Sequence, residues 1–296
     1  MHIQFLNGGL ANQVFQYIFV RYAENYLNNG ERWFLDDSFF FVNNVHNGYE
    51  LKKVFGIEAN LLSNYFDADV WNLIIKNKRE NNISIPQQLK NYGMEIDMLT
   101  ESPTAFEMNP FDGLIYIIEC NKFHQQITKL PGNVYYHGYW VNNNWLNGYK
   151  DIIKNELKFP EITEKNNIDY SNMIKNTNST CVHVRRGDYI KLGWILEKDL
   201  YKNSIKTVLN IESDITLFVF SDDIEYCKQN ADEFGFFLPQ KTIFIEGNKG
   251  ENAYRDMQLM SMCRNTIVSN SAFSYLASLL NNDIHIGISM SPIREL

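Results

Sequence analysis

Cysteine is scarce and scattered in this chain of 296 residues: Cys120, Cys181, Cys227 and Cys263 are widely spaced and form no Cys-x-x-Cys pair. That excludes a disulfide framework and a cysteine zinc site, and it fits reduced thiols in a cytoplasmic protein. Histidines 2, 46, 124, 137, 183 and 285 show no His-x-x-x-His or related ligand spacing, so no metal is expected. An excess of positive charge is also missing. Lys and Arg number 27 against 35 Asp and Glu, a formal charge of −8, and no basic stripe of the kind that holds nucleic acid is present. No run approaches the roughly 20 apolar residues that cross a bilayer, and Met1–Leu6 lacks the basic-then-apolar pattern of a secretory leader. The expectation is a cytoplasmic protein without a transmembrane segment, with peripheral association with the inner membrane left open. Internal repeats and coiled-coil heptads are absent as well.

What is present is a globular composition, 45% hydrophobic and rich in aromatics at 14%, in a chain long enough for two ordinary domains. The opening reads as strand, glycine loop and helix. His2–Leu6 alternates or runs apolar, Asn7-Gly8-Gly9 interrupts it, and Leu10, Val14, Tyr17, Ile18 and Tyr22 then recur at helical spacing up to Asn28-Asn29-Gly30. A second strand is expected over Glu31–Leu35. From Phe40 to about Leu130 the pattern reads mostly as helix and turn, with strands expected at Leu114–Cys120 and, beyond it, at Asn133–Tyr139. A polar, proline-marked stretch from Phe159 to Asn167 suggests a division into residues 1–160 and 161–296. After it, strands at Ser179–Val184, Ile215–Phe220, Thr242–Glu246, Thr266–Ser269 and Asp283–Ile288 alternate with helices near 198–210, 224–234, 253–263 and 271–281. Such alternation predicts a doubly wound α/β domain with a parallel sheet.

In a sheet of this kind ligands bind beyond the carboxyl ends of the strands. Three strand ends carry polar clusters: His183 to Asp188, Ser221-Asp222-Asp223, and Ser269 to Ser274. In the first, Gly187 permits a tight turn and Arg185-Arg186 offers planar forks suited to a phosphate or carboxylate. A surface Arg–Asp ion pair is the plain alternative. Ser221-Asp222-Asp223 reads as a helix start, or as a carboxylate that accepts hydrogen bonds from a purine edge. Asn270 and Ser271 read as helix caps, as phosphate donors, or as both. Gly9 and Asn12 lie in a glycine loop that lacks Gly-x-Gly-x-x-Gly and the Walker lysine. Asp67-Ala68-Asp69 lies in a helical context that suits a metal site poorly, whereas Asp36-Asp37 follows a strand. Tyr135, Tyr136, Tyr139 and Trp140, with Trp145, offer either sugar-stacking faces or a buried aromatic strand.

Four blocks in series give the chain a resemblance. Gly8-Gly9-Leu10-Ala11-Asn12-Gln13-Val14-Phe15-Gln16-Tyr17, His183-Val184-Arg185-Arg186-Gly187-Asp188-Tyr189, Phe220-Ser221-Asp222-Asp223, and Asp256–Cys263 with Ser269–Ser274 are similar to those of the α-1,2-fucosyltransferases of glycosyltransferase family 11. Ala11 stands where that family usually has glycine, and Tyr275-Leu276 where paired tryptophans are common. The resemblance implies a GT-B-like fold, two Rossmann-like domains facing a cleft. The first would be the acceptor side and the second would bind GDP-fucose. It implies inverting, metal-independent transfer of L-fucose from GDP-β-L-fucose to the 2-hydroxyl of a galactose-containing glycan, in bacterial surface-polysaccharide synthesis. It places Arg185 on the leaving diphosphate, with Arg186 supporting the loop. His183 would brace the loop, Ser221, Asp222 or Asp223 would meet the guanine, and Asn270, Ser271, Phe273 and Ser274 the phosphates or ribose. Asp188 and Asp36 are then the candidate bases, Asn12 would orient the acceptor hydroxyl, and Gly9 is counted among the donor-binding residues.

Overall fold

The computed structural model describes residues 1–27, 30–102, 111–119, 130–141, 146, 149–237 and 241–291. The chain forms two compact units, Met1–Glu156 and Leu157–Leu296. Each contains a parallel five-stranded sheet, so the expected α/β class is what the backbone adopts.

In the first unit, β1 (His2–Phe5) runs into a turn at Gly8, whose φ of 78° suits a residue without a Cβ. The helix Leu10–Leu27 follows. Its Leu10, Val14, Ile18 and Tyr22, with Phe15 and Phe19, are buried at the three- and four-residue spacing seen in the sequence. The remaining strands are β2 (Trp33–Asp36), β3 (Ile96–Ser102), β4 (Ile115–Glu119) and β5 (Asn133–His137), in the order β2-β1-β5-β3-β4. The strand expected at Glu31–Leu35 begins two residues later. β3 falls where helix and turn were expected. Its sequence mixes Asp97, Thr100 and Glu101 among apolar residues, and only pairing on both sides, with β4 and β5, makes those polar positions tenable. Glu101, for instance, accepts the backbone N–H groups of Tyr139 and Trp140 at 2.8 and 3.0 Å.

In the second unit the helix Lys165–Lys175 leads into β6 (Ser179–Val184), followed by β7 (Thr216–Ser221), β8 (Lys241–Phe244), β9 (Asn265–Val268) and β10 (Ile286–Ser289). The order is β10-β9-β6-β7-β8. Connecting helices include Lys198–Ile211, Tyr254–Met260 and Ala272–Leu280. The single helix expected near 224–234 is two, Ile224–Gln229 and Ala231–Phe234, parted at Asn230, whose side chain donates to the Tyr226 carbonyl at 2.8 Å. The proline-marked stretch after Phe159 is strapped to this unit. Arg255, 3% exposed, donates to the carbonyls of Pro160 and Glu161 at 3.0 and 2.9 Å and pairs with Glu164 at 3.1 Å. Asn166 and Asn167, expected in the linker, are already helical. Cys181, Cys227 and Cys263 are free and buried, whereas Cys120 lies outside the described residues. Among the described residues no helix is long and apolar enough to cross a membrane.

A methyl group at Gly8 would meet the Asn12 side chain at 2.5 Å, on top of the cost of a positive φ. Gly8→Ala is expected to lower unfolding stability by about 1–3 kcal/mol, measured as a reduced urea midpoint. An unchanged midpoint would show that the turn relaxes freely.

Candidate active site

The chain passes from β6 to β7 and β8 on one side and then returns to place β9 and β10 on the other. The order therefore reverses between β6 and β9, the position at which doubly wound sheets bind ligands. His183–Asp188 and Ser269–Ser274 flank this switch point. The His183 and Ser269 side chains join across it, Nδ1 to Oγ at 2.9 Å. Burial, and then the nearby Arg185 charge, pushes the His183 pKa down to about 3. The ring is neutral at physiological pH and a poor base, the bracing role expected of it.

The two arginines have different surroundings. The register pairs Val184 with Ser221, so Arg185 and Arg186 emerge beside Asp222 and Asp223. Asp222 accepts from the Arg186 backbone N–H at 2.8 Å through one oxygen and from Arg185 Nη1 at 3.0 Å through the other. Arg185 Nη2 reaches the exposed Asp188 carboxylate at 2.7 Å, while its Nε is buried without a hydrogen-bond partner. Arg186 is the more enclosed: its Nε donates to Asp223 at 3.0 Å and its guanidinium lies 3.2 Å from the centre of the Tyr226 ring. Gly187 has no room for a larger residue, since a Cβ there would sit 2.5 Å from an Asp222 oxygen.

Asp222 and Asp223, expected to read a purine, are thus already engaged in holding the arginine loop. Asp223 also caps the following helix through Tyr226 N at 3.3 Å, and its own N–H donates to Ser221 Oγ at 3.0 Å. Ser271 caps the helix Ala272–Leu280 by accepting from Phe273 N at 3.3 Å, and Ser274 Oγ donates to the Ser271 carbonyl at the same distance. Ser269, Ser271 and Ser274 are buried, whereas Asn270 and Phe273 are partly exposed. Asn270 donates from Nδ2 to the Trp194 carbonyl at 2.8 Å, a link between the two strand-end loops that the sequence did not suggest.

In the first unit the glycine loop is held by two glutamines. Gln13 donates to the Gly8 and Gly48 carbonyls, both at 2.9 Å, and accepts from Glu50 N at 2.8 Å. Gln16 pairs with Asn7 through both ends of its amide, at 2.6 and 3.0 Å. Asn12 is partly exposed and covers the open side of Gly8, and Gly9 faces the His46 ring. Two expectations are corrected here. Asp36, expected as a carboxylate open to an acceptor, is 0% exposed and accepts from Tyr135 Oη at 2.6 Å and Ser38 N at 2.9 Å. Its lone pairs are spent inside the fold. Ser38 in turn accepts from Lys78 at 2.7 Å, a lysine whose pKa burial lowers. The aromatic run offered as a sugar platform is largely core: Tyr135, Tyr136 and Trp140 are buried, Trp140 stacks on Phe19 at 4.4 Å, and its indole donates to Gln4 at 2.7 Å. Trp145 lies outside the described residues. Asp67 and Asp69 sit at the start of the helix Ala68–Glu80, as their context suggested.

The sequence profile of glycosyl transferase family 11 matches residues 106–292, and the chain belongs to that family. It is a glycosyltransferase. Over 97% of its length it is 29% identical to an alpha-1,2-colitosyltransferase of Escherichia coli, covering 89% of that protein. Over 93% it is 26% identical to the O-antigen biosynthesis glycosyltransferase WbnK of Escherichia coli, again covering 89%. Among solved structures it is similar to POFUT1 in complex with GDP, at 12% identity and a TM-score of 0.47, covering 97% of each chain. It is also similar to the fucosyltransferase NodZ from Bradyrhizobium, at 11% identity and a TM-score of 0.47, covering 94% of this chain and 93% of that one.

His183 also makes a testable contribution to stability. Its folded pKa lies below the unfolded value of about 6.5, so the stabilisation is fully present above pH 6.5 and is lost as pH falls toward 3. The stability margin of the wild type over His183→Asn, from urea unfolding at pH 7, 6 and 5, is expected to shrink by about 1 kcal/mol per pH unit below 6.5. A margin independent of pH would mean that the ring titrates in the folded protein as it does in the unfolded chain.

Proposed function

We propose that this protein transfers L-fucose from GDP-β-L-fucose to the 2-hydroxyl of a β-galactoside, with inversion to an α-1,2 linkage and without a metal ion. The observation that carries the proposal is the state of Arg185. It stands at the switch point of the sheet, with one nitrogen buried and unpaired and its terminal nitrogens held by two carboxylates. A diphosphate would compete for that fork in bidentate fashion. In transfer, the acceptor oxygen attacks the anomeric carbon as the bond from that carbon to the β-phosphate oxygen breaks, and GDP departs with the electron pair. Arg185 would stabilise the charge that grows on the leaving diphosphate, where a preorganised donor has most effect. Amides and hydroxyls at the start of the helix Ala272–Leu280 suit the same anion. Asp188 is our candidate for the acceptor proton. It is exposed and paired with Arg185, and a diphosphate taking over the guanidinium would release it as a base. Arg186, Asp222 and Asp223 are assigned to holding the loop, Asn12 remains the candidate for orienting the acceptor hydroxyl, and Gly9 a donor-binding candidate.

A second donor has specific support: one relative is named for transfer of colitose, which is fucose lacking its 3-hydroxyl. Both sugars carry the same 6-deoxy carbon, and the assignment of Arg185 serves either wherever the donor is a sugar diphosphate.

Incubation with GDP-fucose and a panel of β-galactosides, with the product linkage read by NMR, tests the reaction. Activity is expected to persist in EDTA. Arg185→Ala should lower kcat by roughly 100- to 1000-fold with the circular dichroism spectrum unchanged. Retention of kcat within threefold of wild type would remove the diphosphate role.

A further inference from the structure

Directly after the arginine loop the chain exposes apolar side chains. Ile190, Leu192, Trp194 and Ile195 all face solvent, and Trp194 is 54% exposed. Clustered exposed apolar groups usually mark an interaction site. Trp194 is also held rigidly. The short helix Gly187–Leu192 ends at Gly193 with a φ of 68°, and the Trp194 N–H donates back to the Tyr189 carbonyl at 3.0 Å, a closure that reverses the chain. On the other side the Trp194 carbonyl accepts from Asn270 at 2.8 Å. The indole meets the Tyr189 ring edge-on at 5.5 Å, and the Arg185 guanidinium lies over that same tyrosine at 5.4 Å. A contiguous row of Arg185, Tyr189 and Trp194 therefore runs from the proposed diphosphate position to an open aromatic face at the rim of the switch point. The exposed Asp188 lies on the same short helix as Tyr189 and pairs with Arg185 at the other end of this row.

We propose that Trp194, buttressed by Tyr189, is the platform on which the acceptor's terminal pyranose stacks, and that it determines which hydroxyl is presented to Asp188. This inference rests on the glycosyl-transfer reading of the same site. A pyranose presents an apolar C–H face and a rim of hydroxyls, which suits a half-exposed indole braced by Tyr189 on a loop that also carries a carboxylate. Pre-positioned aromatics bind with little loss of side-chain entropy. Burial elsewhere favours this residue. Among the described residues, Trp33, Trp71 and Trp140 are all at most 5% exposed, and the aromatic strand of the first unit is packed inside. Trp194 is thus the one tryptophan with an exposed face among the described residues, and the proposal places the platform in the second unit, where the first was expected to supply it.

The test compares wild type with Trp194→Ala and Trp194→Phe. The readouts are the KM for lactose, lacto-N-biose and N-acetyllactosamine, the Kd for GDP, and acceptor-independent hydrolysis of GDP-fucose. Trp194→Ala is expected to raise the acceptor KM about tenfold while GDP affinity and donor hydrolysis stay within twofold, and Trp194→Phe to recover most of the loss. The red-shifted fluorescence of the exposed indole should also respond to the galactosides in wild type. An unchanged acceptor KM, a parallel loss of GDP affinity, or no fluorescence response to any of the three sugars would each overturn the proposal. So would loss of binding to anionic vesicles with sugar kinetics unchanged, which would make the patch a membrane contact. Failure of the underlying reading would look different: wild type would then neither bind GDP nor hydrolyse GDP-fucose.

Discussion

The Asp222 carboxylate is the constraint around which the second unit's site is organised. One oxygen accepts the Arg186 backbone N–H and the other the Arg185 guanidinium, and the second leaves no space for a side chain at residue 187. Because β6 and β7 pair in parallel register up to Val184 and Ser221, this carboxylate arrives beside the arginines without any distortion of either strand. A charge-assisted bond to a backbone N–H holds a loop more firmly than an exposed ion pair between side chains does. The direction of both arginines follows from it.

Two neighbouring arginines consequently acquire separate surroundings. Arg186 is sandwiched between Asp223 and the face of Tyr226, and its cation is satisfied inside the protein. Arg185 keeps a buried nitrogen without a partner and shares its terminal nitrogens between the Asp188 and Asp222 carboxylates. His183, kept neutral by burial, connects the arginine loop to Ser269 and so couples the two strand ends on either side of the switch point. The Asn270–Trp194 bond forms a second connection nearer the surface. Those two links preorganise the site before any ligand arrives, which is the condition under which fixed charges aid catalysis.

The first unit shows how polar residues in a parallel sheet are accommodated. Asp36 is wholly buried, yet its oxygens receive Tyr135 and Ser38, and Lys78 completes the group through Ser38. Gln4, Gln13 and Gln16 likewise spend their amides on backbone carbonyls and on the Trp140 indole. A buried polar group is tolerated on condition that each hydrogen-bonding atom finds a partner. Much of the polarity of the amino-terminal block is thereby accounted for by folding alone.

The alternation of strand and helix, the helix Leu10–Leu27, the strand Ser179–Val184 and the three polar strand ends were all legible in the sequence. Each depends on local periodicity or on a glycine or capping residue within a few positions. β3 was not legible, because Asp97 and Glu101 become acceptable in a strand only once β4 and β5 lie on either side. The fates of Asp36, Tyr135, Tyr136 and Trp140 were hidden for the same reason: alternation says that a strand has two faces, not what covers each. By itself the sequence determined that arginines, serines and aspartates gather beyond strand ends. Only the tertiary structure decided that Asp222 joins both arginines, that Asp223 takes Arg186, and that Arg185 Nε is left without a partner while Trp194 stays exposed, because partners 36 or 76 residues away are chosen by sheet order and register rather than by neighbouring residues.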